Sequence, residues 1–208
     1  MKNPQLKIPQ IDIQEKVSET ELTEFIIEKL SPYFEIYREL RGKFTHWNQT
    51  RTVILDLGLF PNEKMINNGF PKIFFGIEVK CFNMDLDESR EWNVPKFKDT
   101  VSQCLSYKYS KFGKTNTEPA FILLADNFNV RLKSVKRINR NEYRRKTNFL
   151  MGFMATQNVG KLLIYEDGEI GFKIGDYIWN SKMDETNFRL LDFYAGNRYL
   201  RRNPIKPY

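Results

Sequence analysis

The sequence IFFGIEVKCF, residues Ile73–Phe82, is an apolar run interrupted by two charged side chains. Its aromatic and β-branched residues predict a strand, and Glu78 and Lys80 share one face of it because they are two positions apart. A second apolar run, TVILDLGLF at Thr52–Phe60, carries a single charge at Asp56. A charge inside such a run is costly unless something compensates it. We therefore expect the two strands to pair as a long-looped hairpin that brings the three charged groups together.

The residues before this pair predict a helix and another strand. Ser18 and Glu21 have the spacing of a capping box, and an apolar stripe at helical spacing follows them. Phe34–Leu40, with the sequence FEIYREL, alternates apolar and charged residues as a half-exposed strand does. The dipeptide Arg41-Gly42 predicts a turn after that strand.

The residues after the pair predict a second helix and a fourth strand. An apolar stripe runs at helical spacing through Lys96–Phe112, and Ala120–Ala125 is a short apolar run typical of a strand inside a sheet. Residues 18–126 therefore predict an α/β fold, with a mixed β-sheet core in the order α-β-β-β-α-β and flanking helices. No composition break divides the chain. We expect one domain over residues 1–208, with a basic C-terminal α+β extension at 127–208.

Composition limits the chemistry that is open to the chain. Among 208 residues there are one His, His46, and two Cys, which excludes three-His metal centres, HExxH zinc sites and a disulfide framework. Neither glycine-rich nucleotide fingerprint occurs. We expect a cytoplasmic, intracellular protein without a secretory signal or a transmembrane segment. Any catalysis has to use carboxylates, lysine and a hard cation.

The charge distribution favours a polyanionic partner. The chain carries 33 Lys and Arg against 26 Asp and Glu, a net charge of +7, and nucleic acid is the first candidate for such a surplus. The run at residues 131–146 is strongly basic and has a single acid, Glu142. The residues of this run that we expect to bind nucleic acid are Arg137, Arg140, Arg144, Arg145 and Lys146.

Asp56, Glu78 and Lys80 form the combination that metal-assisted hydrolysis of a phosphodiester needs. The two carboxylates and the main-chain carbonyl of Val79 are suitable ligands for Mg²⁺, which prefers oxygen. We expect Mn²⁺ to substitute for Mg²⁺. The ion polarises the phosphate and activates a water molecule. Lys80 would orient or deprotonate that water, or stabilise developing negative charge. The alternative for these residues is a structural ion pair.

At this point the chain resembles the PD-(D/E)xK nuclease superfamily, which includes restriction endonucleases and archaeal Holliday junction resolvases. The resemblance lies in Asp56 followed by Glu78-Val79-Lys80 on the next strand, and it covers residues 18–126. Leu55 stands where the family has its proline, and 22 positions separate the Asp from the Glu. The resemblance implies a restriction-endonuclease-like fold and a Mg²⁺-dependent nuclease activity.

The resemblance also implies site residues on two helices. Gln103 and Tyr107 fit the family's QxxxY pattern, and they lie one helical turn apart on the same side; in the family this side lies by the active site and the DNA. A glutamate of the first helix often completes the metal site. Glu21 is the first choice for that position because it borders the apolar stripe, and Glu24 and Glu28 are the alternatives.

The expected function is therefore a Mg²⁺-dependent deoxyribonuclease, a hydrolase of DNA phosphodiester bonds. A different class of function stays open, namely a non-catalytic nucleic-acid-binding protein that keeps a nuclease-like fold, because fold does not fix function. An RNA substrate also stays open. Many resembling nucleases dimerise to cut both strands, so a homodimer is a further possibility, and no membrane partner is expected.

Overall fold

The computed structural model describes residues 18–82, 94–126, 149, 151–165, 168–174 and 177–181. Residues 151–156 are helical. The other described elements, in chain order, are α1 (Glu19–Leu30), β1 (Phe34–His46), β2 (Gln49–Pro61), α2 (Glu63–Asn67), β3 (Phe75–Lys80), α3 (Val94–Lys108), β4 (Ser110–Phe112), β5 (Ile122–Asp126), β6 (Gly160–Ile164), β7 (Ile170–Ile174) and β8 (Tyr177–Asn180).

The described strands form one mixed sheet with the order β4-β1-β2-β3-β5-β6-β7-β8. The pairs β3/β5 and β5/β6 are parallel, and the other neighbouring strands are antiparallel. The predicted α/β class, with a mixed sheet, is confirmed. Two elements interrupt the predicted order, since α2 lies in the connection between β2 and β3, and β4 follows α3.

The first hairpin is longer than the sequence predicted. The turn expected at residues 41–42 is wrong, because β1 continues to His46 and the chain reverses after it, at Trp47, which has a φ of 54°. Gly42 serves a different purpose: a Cβ at this position would lie 2.5 Å from Cδ1 of Phe112 on β4. Glycine is therefore required here for the close approach of a neighbouring side chain and not for a turn.

Helices cover both faces of the sheet. The apolar stripe of α1 packs with Ile77 and Val79 of β3 in one core cluster, and the stripe of α3 packs with Leu55 and Leu124 in a second cluster on the other face. We call these faces the α1 side and the α3 side. Because neighbours along a strand point to opposite faces, Glu78 points to the α3 side.

The C-terminal strands extend this sheet. Leu162, Phe172 and Trp179 of β6, β7 and β8 belong to the α1-side cluster, so the extension contributes to the core that the first strands begin. In the part of the chain that is described, no helix combines the length and the apolar character that crossing a bilayer requires.

Candidate metal centre at the end of β3

The β2–β3 ladder brings Asp56 and Glu78 together. Leu57 pairs with Ile77, and the same antiparallel register carried one residue further sets Asp56 opposite Glu78, where directly opposed side chains share a face. At that point the backbone N–H of Val79 donates a hydrogen bond of 2.7 Å to Oδ2 of Asp56. The two carboxylates are thus positioned by adjacent strands of one sheet.

A local irregularity in the β1–β2 ladder lies at the same place. In that register Glu39 faces Asp56, and the pairing on both sides of Glu39 is regular. The backbone of Glu39 is in the left-handed conformation, with a φ of 45°. This conformation is uncommon for residues other than glycine. Leu57 packs on the α1 side, whereas Leu55, two positions away, packs on the α3 side. The strand therefore changes face at Asp56, and such irregularities re-aim side chains.

The carboxyl group of Glu78 is buried and only partly satisfied. Its residue is 1% exposed, and Oε1 lies 3.1 Å from Nζ of Lys80. Oε2 is buried, and no N–H or hydroxyl group among the described residues donates to it; its neighbour is the carboxyl group of Asp56. Burial, followed by the charge of Asp56, raises the pKa of Glu78 to about 8. Glu78 therefore retains a proton at neutral pH unless a cation takes its place.

Lys80 lies between Glu78 and a carboxylate that the sequence did not suggest. Its Nζ is 3.6 Å from Oε2 of Glu19, at the start of α1, and the backbone N–H of Cys81 donates to Oε1 of Glu19 at 3.2 Å. Burial opposes the charged form of Lys80, but the negative charges of Glu78, Asp56 and Glu19 outweigh it and raise the pKa of Lys80. The side chain is therefore an ammonium ion.

The three glutamates considered from the sequence have other partners. Glu21 accepts hydrogen bonds from the backbone N–H and the hydroxyl of Ser18, completing the capping box. Glu24 forms a bidentate ion pair with the Arg38 guanidinium, with N···O distances of 2.6 and 2.7 Å. Oε1 of Glu28 lies 3.7 Å from Nζ of Lys29. The structure thus brings Glu19, and not these residues, to Lys80. The available signal was its position at the start of α1, three and seven positions before the buried Leu22 and Ile26.

Gln103 and Tyr107 lie on the α3 side, where Glu78 points. The side-chain amide of Gln103 donates to the hydroxyl of Tyr107. Burial raises the pKa of Tyr107, and the charge of Glu78 raises it further. Burial also raises the pKa of Cys104, with a contribution from the same charge. The helix thus places a neutral tyrosine and an inert thiol close enough to the carboxylates for their charges to raise both pKa values.

A second buried ion pair lies beside the centre. Asp126 is the partner of Lys80 in the parallel β3–β5 ladder, and its Oδ2 lies 3.4 Å from Nζ of Lys161 on β6. Both residues are buried. Neither residue was predicted from the sequence as part of a site. The signal available for Asp126 was a single acid directly after the apolar run of β5.

The donor set at the end of β3 fits a hard divalent cation. Mg²⁺ is usually held by one or two carboxylates and keeps several waters, and the buried Oε2 of Glu78 is an oxygen atom to which no N–H or hydroxyl group among the described residues donates. The described residues contain no group of three or more His, Cys, Asp and Glu side chains suited to a metal. A cation at this place would be held by the carboxylates of Asp56 and Glu78, with the carbonyl of Val79 as the further ligand that the sequence predicts.

The predicted nucleic-acid contacts lie outside the described residues; they are Arg137, Arg140, Arg144, Arg145 and Lys146. Comparison with known proteins adds no family to this description. No family model, no curated protein and no solved structure matches the chain.

Proposed function

We propose that this protein is a Mg²⁺-dependent nuclease that hydrolyses phosphodiester bonds of DNA, on a restriction-endonuclease-like fold. The observation that carries the proposal is the buried Oε2 of Glu78, to which no N–H or hydroxyl group among the described residues donates, and which lies beside the carboxyl group of Asp56. Buried polar atoms are normally satisfied, and an exception in a native structure indicates a functional group or an ion site. A structural ion pair with Lys80 satisfies only Oε1.

In this proposal Asp56, Glu78 and the Val79 carbonyl hold the cation. When bound, Mg²⁺ polarises the scissile phosphate as a Lewis acid. The hydrogen bond from the Val79 N–H fixes Oδ2 of Asp56, so one ligand is oriented before the ion arrives. Such pre-orientation reduces the reorganisation that binding requires.

Lys80 acts as a fixed positive charge. Because the surrounding carboxylates raise its pKa, the ammonium group donates hydrogen bonds and is a poor base. It can orient the attacking water and stabilise negative charge that develops on the phosphate oxygens. Glu19 holds the ammonium from the other side, at 3.6 Å, and is a positioning residue.

Cleavage assays test this function directly. Supercoiled plasmid, labelled DNA oligonucleotides and labelled RNA are incubated with Mg²⁺ or Mn²⁺, and the wild type is compared with Glu78→Gln and Lys80→Gln. The controls with matched chemistry are Glu63→Gln and Lys72→Gln, two exposed residues at the opposite end of β3. We expect the site variants to lose about 100-fold or more of the DNA cleavage rate and the controls to keep it.

Two results would contradict the assignment. Equal cleavage by the wild type and both site variants would remove Glu78 and Lys80 from the chemistry. DNA binding by the wild type without cation uptake or cleavage would favour the non-catalytic nucleic-acid-binding function instead. Cleavage of RNA with DNA left intact would keep the centre and change the substrate.

A further inference from the structure

The β1–β2 hairpin extends beyond the strands beside it. Among the described residues, β3 pairs with β2 only over Leu57–Leu59, and β4 pairs with β1 only over Gly42–Phe44. Gln49, at the tip, is seven positions from Asp56, a distance of about 24 Å at roughly 3.4 Å per residue. Because β2 and β3 are antiparallel, this extension leaves the sheet at the end where β3 reaches Lys80. We call residues 41–54 the hairpin arm.

One face of the hairpin arm is exposed and basic. Lys43 lies directly opposite Lys111 of β4, and both residues are exposed. Directly opposed like charges destabilise a sheet, and neither lysine has an ion pair in the described part of the chain. Arg41 and Thr52 are also exposed, and the sequence from Arg41 to Leu55 contains no Asp or Glu. Within the described residues, the positive charge of the arm therefore has no intramolecular counter-charge.

The tip of the hairpin arm presents an aromatic ring to solvent. Trp47 is 87% exposed and left-handed, with a φ of 54°. The ring of His46 lies edge-on to it, at 6.1 Å between centroids, and the Arg51 guanidinium lies 5.0 Å from the centroid of Phe44. A strained backbone that holds a large ring in water is a feature from which function can be inferred.

We propose that the hairpin arm, together with Lys111 of the neighbouring strand β4, binds single-stranded nucleic acid, with Lys43 and Lys111 contacting phosphates and Trp47 stacking on an unpaired base. Positive charge that follows a backbone, combined with exposed aromatic rings, is how proteins bind single strands, because every unpaired base offers a π face. The threonine hydroxyls on the basic face are further donors to phosphate oxygens. An acidic peptide would satisfy the lysines and leave the ring without a partner.

The basic face of the arm lies on the α1 side of the sheet. Lys43 pairs with Thr52, whose neighbour Val53 packs on the α3 side, and Glu78 also points to the α3 side. Binding by the arm therefore does not rest on the proposed centre, and the test is made without cleavage.

The test is fluorescence anisotropy of a labelled oligothymidine in EDTA, over a series of salt concentrations. Lys43→Gln and Lys111→Gln are each expected to reduce the slope of log K against log[salt] by about 0.7, the value for one phosphate contact of a single strand. Lys72→Gln, which removes the same charge outside the arm, should leave the slope unchanged. Trp47→Ala should weaken binding by roughly tenfold, and Trp47→Phe should retain most of it.

The same measurements contain the results that would overturn the proposal. These are unchanged salt slopes in both lysine variants, unchanged affinity in Trp47→Ala, or displacement of the oligothymidine by polyglutamate of equal charge at equal concentration. Misfolding is checked by thermal unfolding, where removing either lysine relieves the repulsion between them and should not lower the Tm. Binding that depends on the arm in a protein that cuts no substrate would support the arm and contradict the proposed nuclease.

Discussion

The backbone N–H of Val79 donates a 2.7 Å hydrogen bond to Oδ2 of Asp56, so β3 orients a carboxylate of β2. Asp56→Asn keeps an acceptor for this N–H, whereas Asp56→Ala leaves the donor without its partner. We expect both variants to lose cleavage by about 100-fold or more, and only the alanine variant to lose about 1–3 kcal/mol of stability. Urea unfolding and DNA cleavage measure the two effects. Normal cleavage by Asp56→Asn would exclude the carboxylate as a metal ligand.

Glu78 makes the stability of the metal-free protein fall as pH rises. Burial raises its pKa from 4.5 to about 8, so the folded protein retains a proton that the unfolded chain releases. The contribution is fully present below pH 4.5 and is lost as pH rises through about 8, at about 1.4 kcal/mol for each unit of pKa difference. Glu78→Gln should flatten this dependence. Unfolding curves in EDTA across this pH range provide the check, and parallel curves for both proteins would contradict it.

A divalent cation should stabilise the folded protein, because it binds the centre and not the unfolded chain. The gain is about 2.7 kcal/mol when the ion is present at about 100 times its Kd. The gain should be larger at pH 8 than at pH 6, because the proton on Glu78 competes with the cation. Thermal unfolding with and without Mn²⁺ measures it, and Glu78→Gln should show a much smaller shift. A shift of the same size in that variant would place the cation elsewhere.

Glu19 and Glu21 provide a matched pair of substitutions on one helix turn. Glu19→Gln removes a carboxylate beside Lys80, so cleavage should fall by about tenfold, as for other groups that orient a metal site. The alkaline limb of its pH–rate profile should also move to lower pH, because this charge helps to raise the pKa of Lys80. Glu21→Gln should leave the rate unchanged, because that side chain caps α1. The opposite ranking would identify Glu21 as the site residue.

Tyr107 and Tyr109 distinguish the buried hydroxyl of α3 from an exposed one. Tyr107→Phe removes the hydroxyl group that accepts a hydrogen bond from Gln103 and whose pKa is raised by the charge of Glu78. We expect a moderate loss of cleavage, about tenfold or less. Tyr109 is half exposed, and Tyr109→Phe should behave as the wild type. If both variants cleave like the wild type, the QxxxY pattern is an ordinary feature of an amphipathic helix.

Much of the centre could be predicted because its parts lie in strongly apolar strands. The single charge at Asp56 and the pair at Glu78 and Lys80 stand out against their neighbours, and antiparallel pairing of the two strands then brings them together. Glu19 was overlooked, although it lies in line with the apolar stripe of α1, three and seven positions before Leu22 and Ile26. Its partner could not be predicted, because it is set by where the helix begins relative to β3, which is a tertiary property.

The errors in the fold have local causes of a similar kind. Arg41-Gly42 has the composition of a turn, but the glycine makes room for Phe112, which a sequence pattern does not reveal. The long loop that the sequence predicts between the two apolar strands contains the short helix α2, which begins where the side chain of Asn62 accepts from the Met65 N–H. Asp126 was overlooked because its partner Lys161 comes 35 positions later in the chain.

The position of the last strands has a consequence for biosynthesis. Trp179 of β8 lies against Phe34 of β1, with 5.6 Å between ring centroids, and Phe172 of β7 lies 5.7 Å from Phe75 of β3. The ribosome therefore completes the carboxylate-bearing strands long before it makes the aromatic rings that close the interior around them. A nascent chain that ended after β5 would carry every group of the centre and would still lack a finished core, so any catalytic competence should appear only after β7 and β8 have been made.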